Sequence, residues 1–505
     1  MQQQDTISPT LPEYAAGFRT LSEEYTLDRV ELEGKIPAFV RGSLLRIGPA
    51  MFEDADGPFD HHFDGLGMWH RFHFSDAGVS YRNRFARSEA YKRYQASGKV
   101  EFSGFGTGCR PGVRERLMKE AAEGAPPNVN AGVAFSKING RLVAMTDGST
   151  IPMFFDGDSL ETEELLMWDD PLQRVDCAGN AVKSWRMRLT TAHSHMDPTT
   201  GDYINYFTQL GGKRPSYNLF RIRKGSLQRE PIAYIETDAA AYTHAFSVTE
   251  NYIVLPESPL VVDTEKLAAG VPIARAMHWA DRGMRLYVIR KSDGTLARTF
   301  EVDPIFVMHT LNAFERNGEL CVDLCAYSDK EHVFDLFLDP AMRQPGGKFA
   351  GLRFPELRSH AKLTRCILPL NGGAARKELL SDETVELGTV DYGRVNGKPY
   401  RCGYLTGIST RDPGYYDQIS RVDVQTLKTL TWSQPGLYTG EPIFVANPHA
   451  RNPDEGVLLS LVFDSRNERS FVQLLDAETL GEVAQVRLPH HIPAGFHGLF
   501  RKSST

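Results

Sequence analysis

Four histidines in separate sequence contexts are the residues of this chain best suited to metal chemistry. Each lies beside an apolar run typical of a β-strand; they are His193 in TAHSHMDP (191–198), His244 in THAFSVTENY (243–252), His309 in MHTLNAFE (308–315) and His497 in FHGLF (496–500). If they converge, they form an all-imidazole metal site without a carboxylate ligand. Such a site points to oxygen chemistry at non-haem iron rather than to hydrolysis, although imidazole also suits zinc and copper.

Short strand patterns must position these histidines, because they recur along the whole chain. They are rich in Val, Leu, Ile, Phe and Tyr and are bounded by Gly, Pro, Asn and Asp, as in DYINYFTQL (202–210), NYIVLPE (251–257) and VLLSLVFD (457–464). Segments with helical periodicity are few, the clearest being 112–124 and 264–270, which suit helices inserted between strands. The pattern predicts an all-β fold.

A weak internal repeat indicates how the strands are arranged. Asp156, Asp423 and Asp476 each open an Asp-x-x-[Ser/Thr]-Leu segment between two apolar runs, which predicts hairpin turns. The last two lie slightly further apart than the usual 40–50 residues or so of one propeller blade, and the histidine intervals correspond to about one, one and three blades. A β-propeller would let residues from equivalent inner strands meet at the central axis. Ordinary hairpins of another β fold are the alternative.

Composition and charge narrow the class of protein. The chain has 505 residues, 41% of them apolar, and a formal charge of −7 without a basic segment, so a nucleic-acid partner is not expected. No Pro-, Gly- and Ser-rich linker divides it, which predicts a single domain over residues 1–505. Six scattered cysteines form no metal motif and favour a reducing compartment. Without a signal-peptide pattern or a run of about 18 apolar residues, a cytoplasmic location is expected.

Motifs distributed along nearly the whole chain resemble the carotenoid cleavage oxygenases, which include apocarotenoid oxygenases, stilbene-cleaving oxygenases and a retinal isomerohydrolase. Besides the four histidine contexts, the matching segments are IPAFVRGSLLRIGPAMFE (36–53), FDGLGMWHRFHF (63–74), VELGTVDYGRVNGKPYRCGY (385–404), GEPIFVANPHARNPDEGVLLSLVFD (440–464) and LPHHIPAGFHGLF (488–500). The resemblance implies a seven-bladed β-propeller, with a cap of helices and loops over the metal face. It also implies Fe(II) on the axis, bound by His193, His244, His309 and His497.

The same resemblance implies residues around the metal. Family members use three glutamates that accept the ring N–H groups of the ligands; two match Glu386 and Glu441, and the third position is Asp147. Because aspartate is one methylene shorter, we expect a small backbone shift, a bridging water or a less firmly held histidine there. Val133 matches a residue beside an open iron position. In TAHSHMDP the ligand matches His193, and His195 faces away.

The remaining histidines receive a structural or surface interpretation. His61, His62, His70 and His73 are close in sequence, but alternation along a strand would send them to different faces, so a second metal cluster is not expected. His449, His490 and His491 lie near expected loops and are interpreted in the same way.

The resemblance implies an Fe(II) dioxygenase that cleaves a conjugated C=C bond of a carotenoid or apocarotenoid into two carbonyl products. Cleavage of stilbenes by the same iron is the alternative, but that branch has a Lys where this chain has Thr146. Non-oxidative isomerohydrolysis is a further alternative without a supporting feature. The expected partners are the carotenoid and O2. Peripheral membrane contact is also considered, although segment 109–127 is polar enough to be a solvated helix.

Overall fold

The computed structural model describes residues 11–102, 104–125, 127–181, 188–211, 214–338, 354–409 and 414–503. Residues 1–10, which bear on the expectation about a signal peptide, lie outside them. Helices are few and short: α1 (Glu89–Ser97), α2 (Val113–Ala122), α3 (Thr264–Ala268), α4 (Ile273–Ala276), α5 (Glu331–Asp335) and α6 (Tyr392–Val395), with 3₁₀ turns at Glu13–Phe18, His62–Asp64 and Pro171–Gln173. Both predicted helical segments are present, as α2 and α3.

Strands make up most of the regular structure. In the first half of the chain they are β1 (Thr26–Leu27), β2 (Glu31–Gly34), β3 (Gly42–Met51), β4 (Glu53–Asp54), β5 (Gly57–Pro58), β6 (Leu66–Ser75), β7 (Gly78–Phe85), β8 (Ala134–Ile138), β9 (Arg141–Met145), β10 (Met153–Phe155), β11 (Thr162–Leu165), β12 (Arg188–Thr190), β13 (His195–Met196), β14 (Tyr203–Gln209), β15 (Ser216–Ile222), β16 (Arg229–Glu236), β17 (Ser247–Val248) and β18 (Tyr252–Glu257).

The second half of the chain continues the same pattern of short strands. They are β19 (Leu260–Val262), β20 (Met277–Trp279), β21 (Met284–Arg290), β22 (Leu296–Val302), β23 (Phe306–Arg316), β24 (Glu319–Tyr327), β25 (Lys362–Pro369), β26 (Arg376–Thr389), β27 (Cys402–Gly407), β28 (Gln418–Asp423), β29 (Lys428–Trp432), β30 (Leu437–Thr439), β31 (Ile443–Ala446), β32 (Gly456–Asp464), β33 (Arg469–Asp476), β34 (Glu482–Arg487) and β35 (Gly498–Lys502).

While β4 with β5 and β19 with β20 form two separate two-stranded sheets, most of these strands form seven antiparallel blades. In order they are β1-β7-β6-β3-β35; β11-β10-β9-β8; β12 and β13 with β14-β15-β16; β17-β18-β21-β22; β23-β24-β25-β26; β26-β27-β28-β29; and β30 and β31 with β32-β33-β34-β2. Blades five and six are joined because the long β26 pairs with β25 in its first half and with β27 in its second. The predicted seven-bladed β-propeller is confirmed.

Strands from the two ends of the chain close the ring. β35 pairs with β3 in blade one, and β2 pairs with β34 in blade seven. Both pairings join residues more than 400 positions apart, and they leave neither terminal blade with a missing strand. Closure of this kind holds the first and last blades in the ring, and a propeller leaves only short, protected strand edges. The closure also brings His497, directly before β35, next to β3.

The three predicted Asp turns are hairpin turns of one type. In each turn, the aspartate side chain accepts a hydrogen bond from the backbone N–H of the residue three positions later. The N–H of Ser159 donates to Asp156 at 2.7 Å, that of Thr426 to Asp423 at 3.0 Å, and that of Thr479 to Asp476 at 2.9 Å. The leucine that follows has a left-handed backbone, with φ of 61°, 57° and 57° at Leu160, Leu427 and Leu480. The repeat therefore marks the outer hairpins of blades two, six and seven.

His61 and His70, near the start of the chain, make buried contacts of a structural kind. The expected alternation applies only to His70 and His73 on β6, because His61 and His62 lie at a 3₁₀ turn. His61 bonds through Nε2 to the Val333 carbonyl at 3.0 Å, and His70 Nδ1 lies 2.9 Å from the Tyr81 hydroxyl. Both rings are buried. Burial lowers the pKa of each to about 3, so both are neutral when the protein is folded.

We expect His70 to make the fold sensitive to mild acid. Its folded pKa lies below the usual value of about 6.5, so the unfolded chain binds the proton first, and stability falls as the pH drops below that value. Between pH 7 and 5 this single group should cost about 2 kcal/mol of unfolding free energy. His70→Asn keeps a side-chain group near the position of Nδ1 but has no imidazole to protonate. In urea titrations followed by tryptophan fluorescence, its unfolding free energy should therefore fall by about 2 kcal/mol less than that of wild type between pH 7 and 5.

The exposed His449 supplies the matched control for this acid effect. His449→Asn should keep the wild-type pH dependence of stability, because the side chain is exposed and the substitution removes no buried group. An unchanged pH dependence for His70→Asn would show that the ring is not held neutral by the fold.

Candidate metal centre

The four predicted histidines converge on one point at the inner edges of four blades. His193 lies between β12 and β13, His244 just before β17, His309 within β23 and His497 directly before β35. Their Nε2 atoms form a chain of contacts, with 2.9 Å from His193 to His244, 3.2 Å from His244 to His309 and 3.2 Å from His309 to His497. All four ligand atoms lie within 4.8 Å of one another.

Local backbone irregularity aims His309 at this point. The pairing of β23 with β24 shifts register between Val307 and Thr310, so one extra residue stands on the β23 side. A β-bulge of this kind turns a side chain away from the regular alternation of the strand. The bulge places His309, 8% exposed, in the centre rather than between two blades.

Three carboxylates fix which nitrogen of each ring is free. Nδ1 of His244 contacts Asp147 at 2.5 Å, Nδ1 of His497 contacts Glu441 at 2.9 Å, and Nδ1 of His309 contacts Glu386. A carboxylate accepts, so each Nδ1 carries the proton and each Nε2 of these rings presents a lone pair. At 3.2 Å, the lone pairs of His244, His309 and His497 face one another and repel unless a cation lies between them.

The spacing of the nitrogens fits a metal ion. Imidazole nitrogens bind metals such as zinc at about 2.1 Å, and two such ligands at right angles are separated by about 3.0 Å. The observed contacts of 2.9 to 3.2 Å match this separation. The four histidines are therefore placed to hold a metal ion.

Asp147 reaches its histidine directly despite its shorter side chain. One of its oxygens accepts from the Ala192 backbone N–H at 2.8 Å, and the other contacts His244 and accepts from the Tyr242 hydroxyl at 3.0 Å. The sequence left three arrangements open. The direct contact excludes two of them, a bridging water and a loosely held ring. Tyr242 was not anticipated, and its position two residues before the ligand is the only sequence signal for it.

Glu386 is a buried, charged partner of His309. Burial alone would raise its pKa, but the attraction and hydrogen bond of His309 outweigh burial and hold the pKa at about 2. Burial also lowers the pKa of His309 to about 4, partly opposed by Glu386. At neutral pH the ring is therefore neutral and the carboxylate charged, as metal binding requires. The Leu387 backbone N–H donates to the same carboxylate at 2.7 Å.

Arg46 is a component of the centre that the sequence did not reveal. It lies on β3 with its side chain 3% exposed, and it donates to Glu441 at 3.0 Å and to the Phe496 carbonyl at 2.9 Å. It therefore holds both the carboxylate partner of His497 and the backbone beside that ligand. A lone charge in a strand of ten buried residues was the available signal.

Charge balance gives Arg46 a second role. Asp147, Glu386 and Glu441 carry three negative charges, and Arg46 carries one positive charge. Burying an excess of charge is costly, so the remaining two negative charges favour a divalent cation among the imidazoles.

His193 and His195 separate as expected. His193 lies in the cluster, with its backbone N–H donating to Thr191 Oγ1 at 2.9 Å. His195 turns outward, and its ring contacts the Phe246 carbonyl and the Tyr392 hydroxyl at 2.9 and 3.1 Å. Among the described residues, the four-histidine cluster is the one group of His, Cys, Asp and Glu with metal-ligand spacing.

Comparison with known proteins agrees with the geometry of the centre. The sequence profile of the family described as "Retinal pigment epithelial membrane protein" matches residues 18–502. The chain belongs to this carotenoid cleavage oxygenase family.

Individual relatives align over almost their full length. The chain is 29% identical to a carotenoid isomerooxygenase of Galleria mellonella, with 96% of this chain and 95% of that protein aligned. It is 28% identical to the beta,beta-carotene 15,15'-dioxygenase of Gallus gallus, with 94% and 95% aligned. A cobalt-substituted apocarotenoid oxygenase (ACO) of Synechocystis has the same fold, with a TM-score of 0.79 at 24% identity over 97% of this chain and 98% of that one.

The carotenoid cleavage oxygenase fold encloses a cavity of about 370 Å³ beside the centre. His244, His309, His497 and Asp147 line it, as does Val133. The cap contributes one wall residue from each of four helices: Arg114 of α2, Leu267 of α3, Ile273 of α4 and His332 of α5. The role of Val133 beside an open metal position stays a prediction.

We expect the pair of Arg46 and Glu441 to be energetically coupled. Arg46→Met leaves a buried carboxylate without its counter-charge and should destabilise the protein by about 3–5 kcal/mol. The double variant Arg46→Met/Glu441→Gln should recover at least about 1 kcal/mol of that loss, because the carboxylate that Arg46 compensates is removed with it. Guanidinium denaturation, with metal chelated in every sample, measures the unfolding free energy of the single and the double variant.

The control for this coupling is Arg501, on the neighbouring β35, which pairs with the exposed Asp158. Arg501→Met should cost less than about 1 kcal/mol, as for surface ion pairs generally. A loss of that small size for Arg46→Met would contradict the charge-balancing role of Arg46.

Proposed function

We propose that the protein is a non-haem Fe(II) dioxygenase that cleaves a conjugated C=C bond of a carotenoid or apocarotenoid into two carbonyl products. The observation that carries this proposal is the convergence of four histidine side chains on one point beside a cavity lined in part by aromatic side chains. The names of the relatives, which include carotene-cleaving dioxygenases, support the reaction class.

The donor set supports iron without selecting it. Neutral imidazoles suit several divalent metals, so the assignment to Fe(II) rests on combining this donor set with relatives named as dioxygenases. When bound by His193, His244, His309 and His497, Fe(II) supplies a site at which O2 becomes reactive. We propose that Asp147, Glu386 and Glu441 keep three of the rings in the tautomer that metal binding requires.

The reaction needs no acid, base or nucleophile from the protein. One O2 and one C=C bond give two C=O groups, so atoms and electrons balance without a further reductant. The tasks left to the chain are to exclude water and to hold one double bond of the polyene beside the metal. Aromatic cavity residues such as Phe63, Phe105, Tyr242 and Phe496 suit both tasks, since they bind a flat conjugated chain through their faces and edges.

Two related reactions remain to be separated from this one. Thr146 lines the cavity at the position where the stilbene branch has a lysine, which favours a carotenoid over a phenolic stilbene. The Galleria relative is named an isomerooxygenase, so cleavage joined to isomerisation is the second candidate. Product geometry distinguishes it from simple cleavage.

We also propose that the protein takes its apolar substrate from a membrane surface. None of the described helices combines the length and the apolar character needed to cross a bilayer. Met118 on α2 is 57% exposed, and it lies between Arg116 and Lys119, so an apolar side chain and two cations could meet a lipid surface together. A cytoplasmic location stays a prediction, and some relatives are named mitochondrial.

The direct test is cleavage under defined iron and oxygen. Protein loaded anaerobically with Fe(II) should convert a long-chain apocarotenal into two carbonyl fragments on exposure to ¹⁸O2, with one labelled oxygen in each fragment before exchange. His309→Ala should abolish turnover together with iron binding. Products are identified by mass and by the geometry of the remaining double bonds.

The matched control is His195→Gln, which changes the neighbouring histidine of the same motif and should retain iron and turnover. Cleavage of 4-hydroxystilbene alone would replace the carotenoid assignment with the stilbene alternative. Absence of cleavage of both compounds at full iron occupancy would contradict the proposed reaction.

A further inference from the structure

Asp64 is a buried carboxylate that binds one short segment of the cavity wall. It is 1% exposed and ends the 3₁₀ turn His62–Asp64. Four groups of residues 104–107 (the strap) donate to it: the backbone N–H groups of Phe105, Gly106 and Thr107 at 2.5, 3.1 and 2.7 Å, and the Thr107 hydroxyl at 2.6 Å. Hydrogen bonds to a charged acceptor are strong, so Asp64 and the strap hold each other in place.

Glycine residues allow the strap to pack this closely. A side chain at Gly104 would collide with the Asp64 carboxylate, and a Cβ atom at Gly106 would lie 2.5 Å from that of His61. The Gly104 N–H donates to the Thr107 carbonyl at 2.9 Å and closes the strap into a turn. The strap therefore has little freedom to move while Asp64 stays bound to it.

Phe105 carries the effect of this anchor into the cavity. It is only partly buried and lines the cavity, so a molecule bound there can contact its ring. The ring centroid lies 5.1 Å from that of Phe63 and 5.3 Å from that of Tyr242. The Tyr242 hydroxyl donates to Asp147, the carboxylate partner of His244. Phe105 therefore forms the wall one ring away from the metal centre.

The strap also holds a helix of the cap. The Phe105 carbonyl accepts from the Ala274 N–H at 2.9 Å, and the Gly106 carbonyl accepts from Nε of Arg275 at 3.1 Å. Both donors lie on α4, whose Ile273 lines the cavity. The buried carboxylate is therefore connected through the strap to two parts of the wall, the phenylalanine ring and α4.

We propose that Asp64 is a positioning residue that, through the strap and Phe105, sets which double bond of the polyene lies beside the metal. Neighbouring double bonds of a polyene differ only in their place along the chain, so the cavity has to choose among them by shape and contact. A wall that moves lets the chain slide, and a second bond then reaches the centre. The inference rests on the proposed function and adds to it the residue that fixes the site of cleavage.

The first test compares the products of Asp64→Asn and wild type, both as the full chain loaded with Fe(II), from a long-chain apocarotenal at about pH 8. Burial raises the pKa of Asp64 to about 6, so the wild-type carboxylate is charged at this pH. Asparagine has the same size, but its NH2 group cannot accept from the strap. Wild type should give mainly one pair of carbonyl fragments. In the variant, the ratio of this pair to the pair from a neighbouring bond should fall at least about tenfold.

Thr107→Val is the milder variant. It keeps the branched shape of the side chain and removes one donor to Asp64, together with the acceptor of the Asp60 N–H. The product ratio should fall in the same direction by about threefold. If Asp64→Asn does not fold, Thr107→Val alone decides. A wild-type product ratio in the folded variants, at full iron content, would overturn the proposal.

Asp176 supplies the matched control, because it is a buried aspartate that orders a loop elsewhere. It accepts from the N–H groups of Ala178 and Asn180 at 2.9 and 2.8 Å, and it is not among the described residues that line the cavity. Asp176→Asn should therefore keep the wild-type product ratio. A change as large as that in Asp64→Asn would overturn the proposal, since general loosening of the fold would then explain both.

A measurement without turnover separates this inference from the proposed function. With Co(II) in place of iron and O2 excluded, paramagnetic relaxation of ¹³C-labelled apocarotenal reports which carbons lie nearest the metal. Wild type should place one double bond there, and Asp64→Asn should spread the effect over neighbouring bonds.

The outcomes for the two proposals differ. The expected relaxation change without cleavage by the Fe(II)-loaded protein would support the positioning role and contradict the proposed reaction. Cleavage by wild type, with identical relaxation and products in Asp64→Asn, would support the reaction and overturn the positioning role. Absence of any relaxation effect in wild type, together with absence of cleavage, would overturn both.

Discussion

Repulsion between nitrogen lone pairs at the centre of the propeller governs which charged groups surround it. Three of the four imidazoles are fixed by carboxylates so that their Nε2 atoms cannot donate to one another, yet these atoms lie about as close as hydrogen-bonded groups. A cation among these nitrogens removes the repulsion. Three carboxylates and the buried Arg46 leave two negative charges, which a divalent ion neutralises.

The propeller is suited to this task because each blade offers an inner strand at the same axis. His193, His244, His309 and His497 are separated by 51, 65 and 188 residues, and their blades bring them into contact with one metal position. Ring closure is part of the site, since the strand that follows His497 pairs with the strand that carries Arg46. A defect in closure would therefore disturb the ligand, its carboxylate partner and the counter-charge together.

Much of the fold and of the centre could be predicted from the sequence, for identifiable reasons. The Asp turns carry a local signal, because the aspartate side chain bonds to the backbone within three residues. The four histidines and Glu386 and Glu441 lie in motifs that resemble a family, and the structure brings them together.

Features that depend on long-range pairing were not accessible from the sequence in the same way. Arg46 meets Glu441 across 395 residues, and nothing local to either segment indicates that contact. The bulge at His309 depends on the register between two strands, and Tyr242 supports Asp147 from another blade. His62 illustrates a different limit. The sequence favoured a structural role for it, and its bond to Ala494 agrees, but its unpartnered nitrogen and its place in the cavity wall are visible only in three dimensions.

Iron K-edge X-ray absorption of the Fe(II)-loaded protein, together with the metal content per chain, tests whether the four imidazoles hold one metal ion. We expect one iron per chain, nitrogen and oxygen ligands at about 2.1–2.2 Å, and multiple scattering from four imidazoles without sulfur. Glu386→Gln should lower the iron affinity by about 10–100-fold with the same set of ligands. Iron bound by fewer than four imidazoles, or a folded protein that binds no divalent metal at the four histidines, would contradict this expectation.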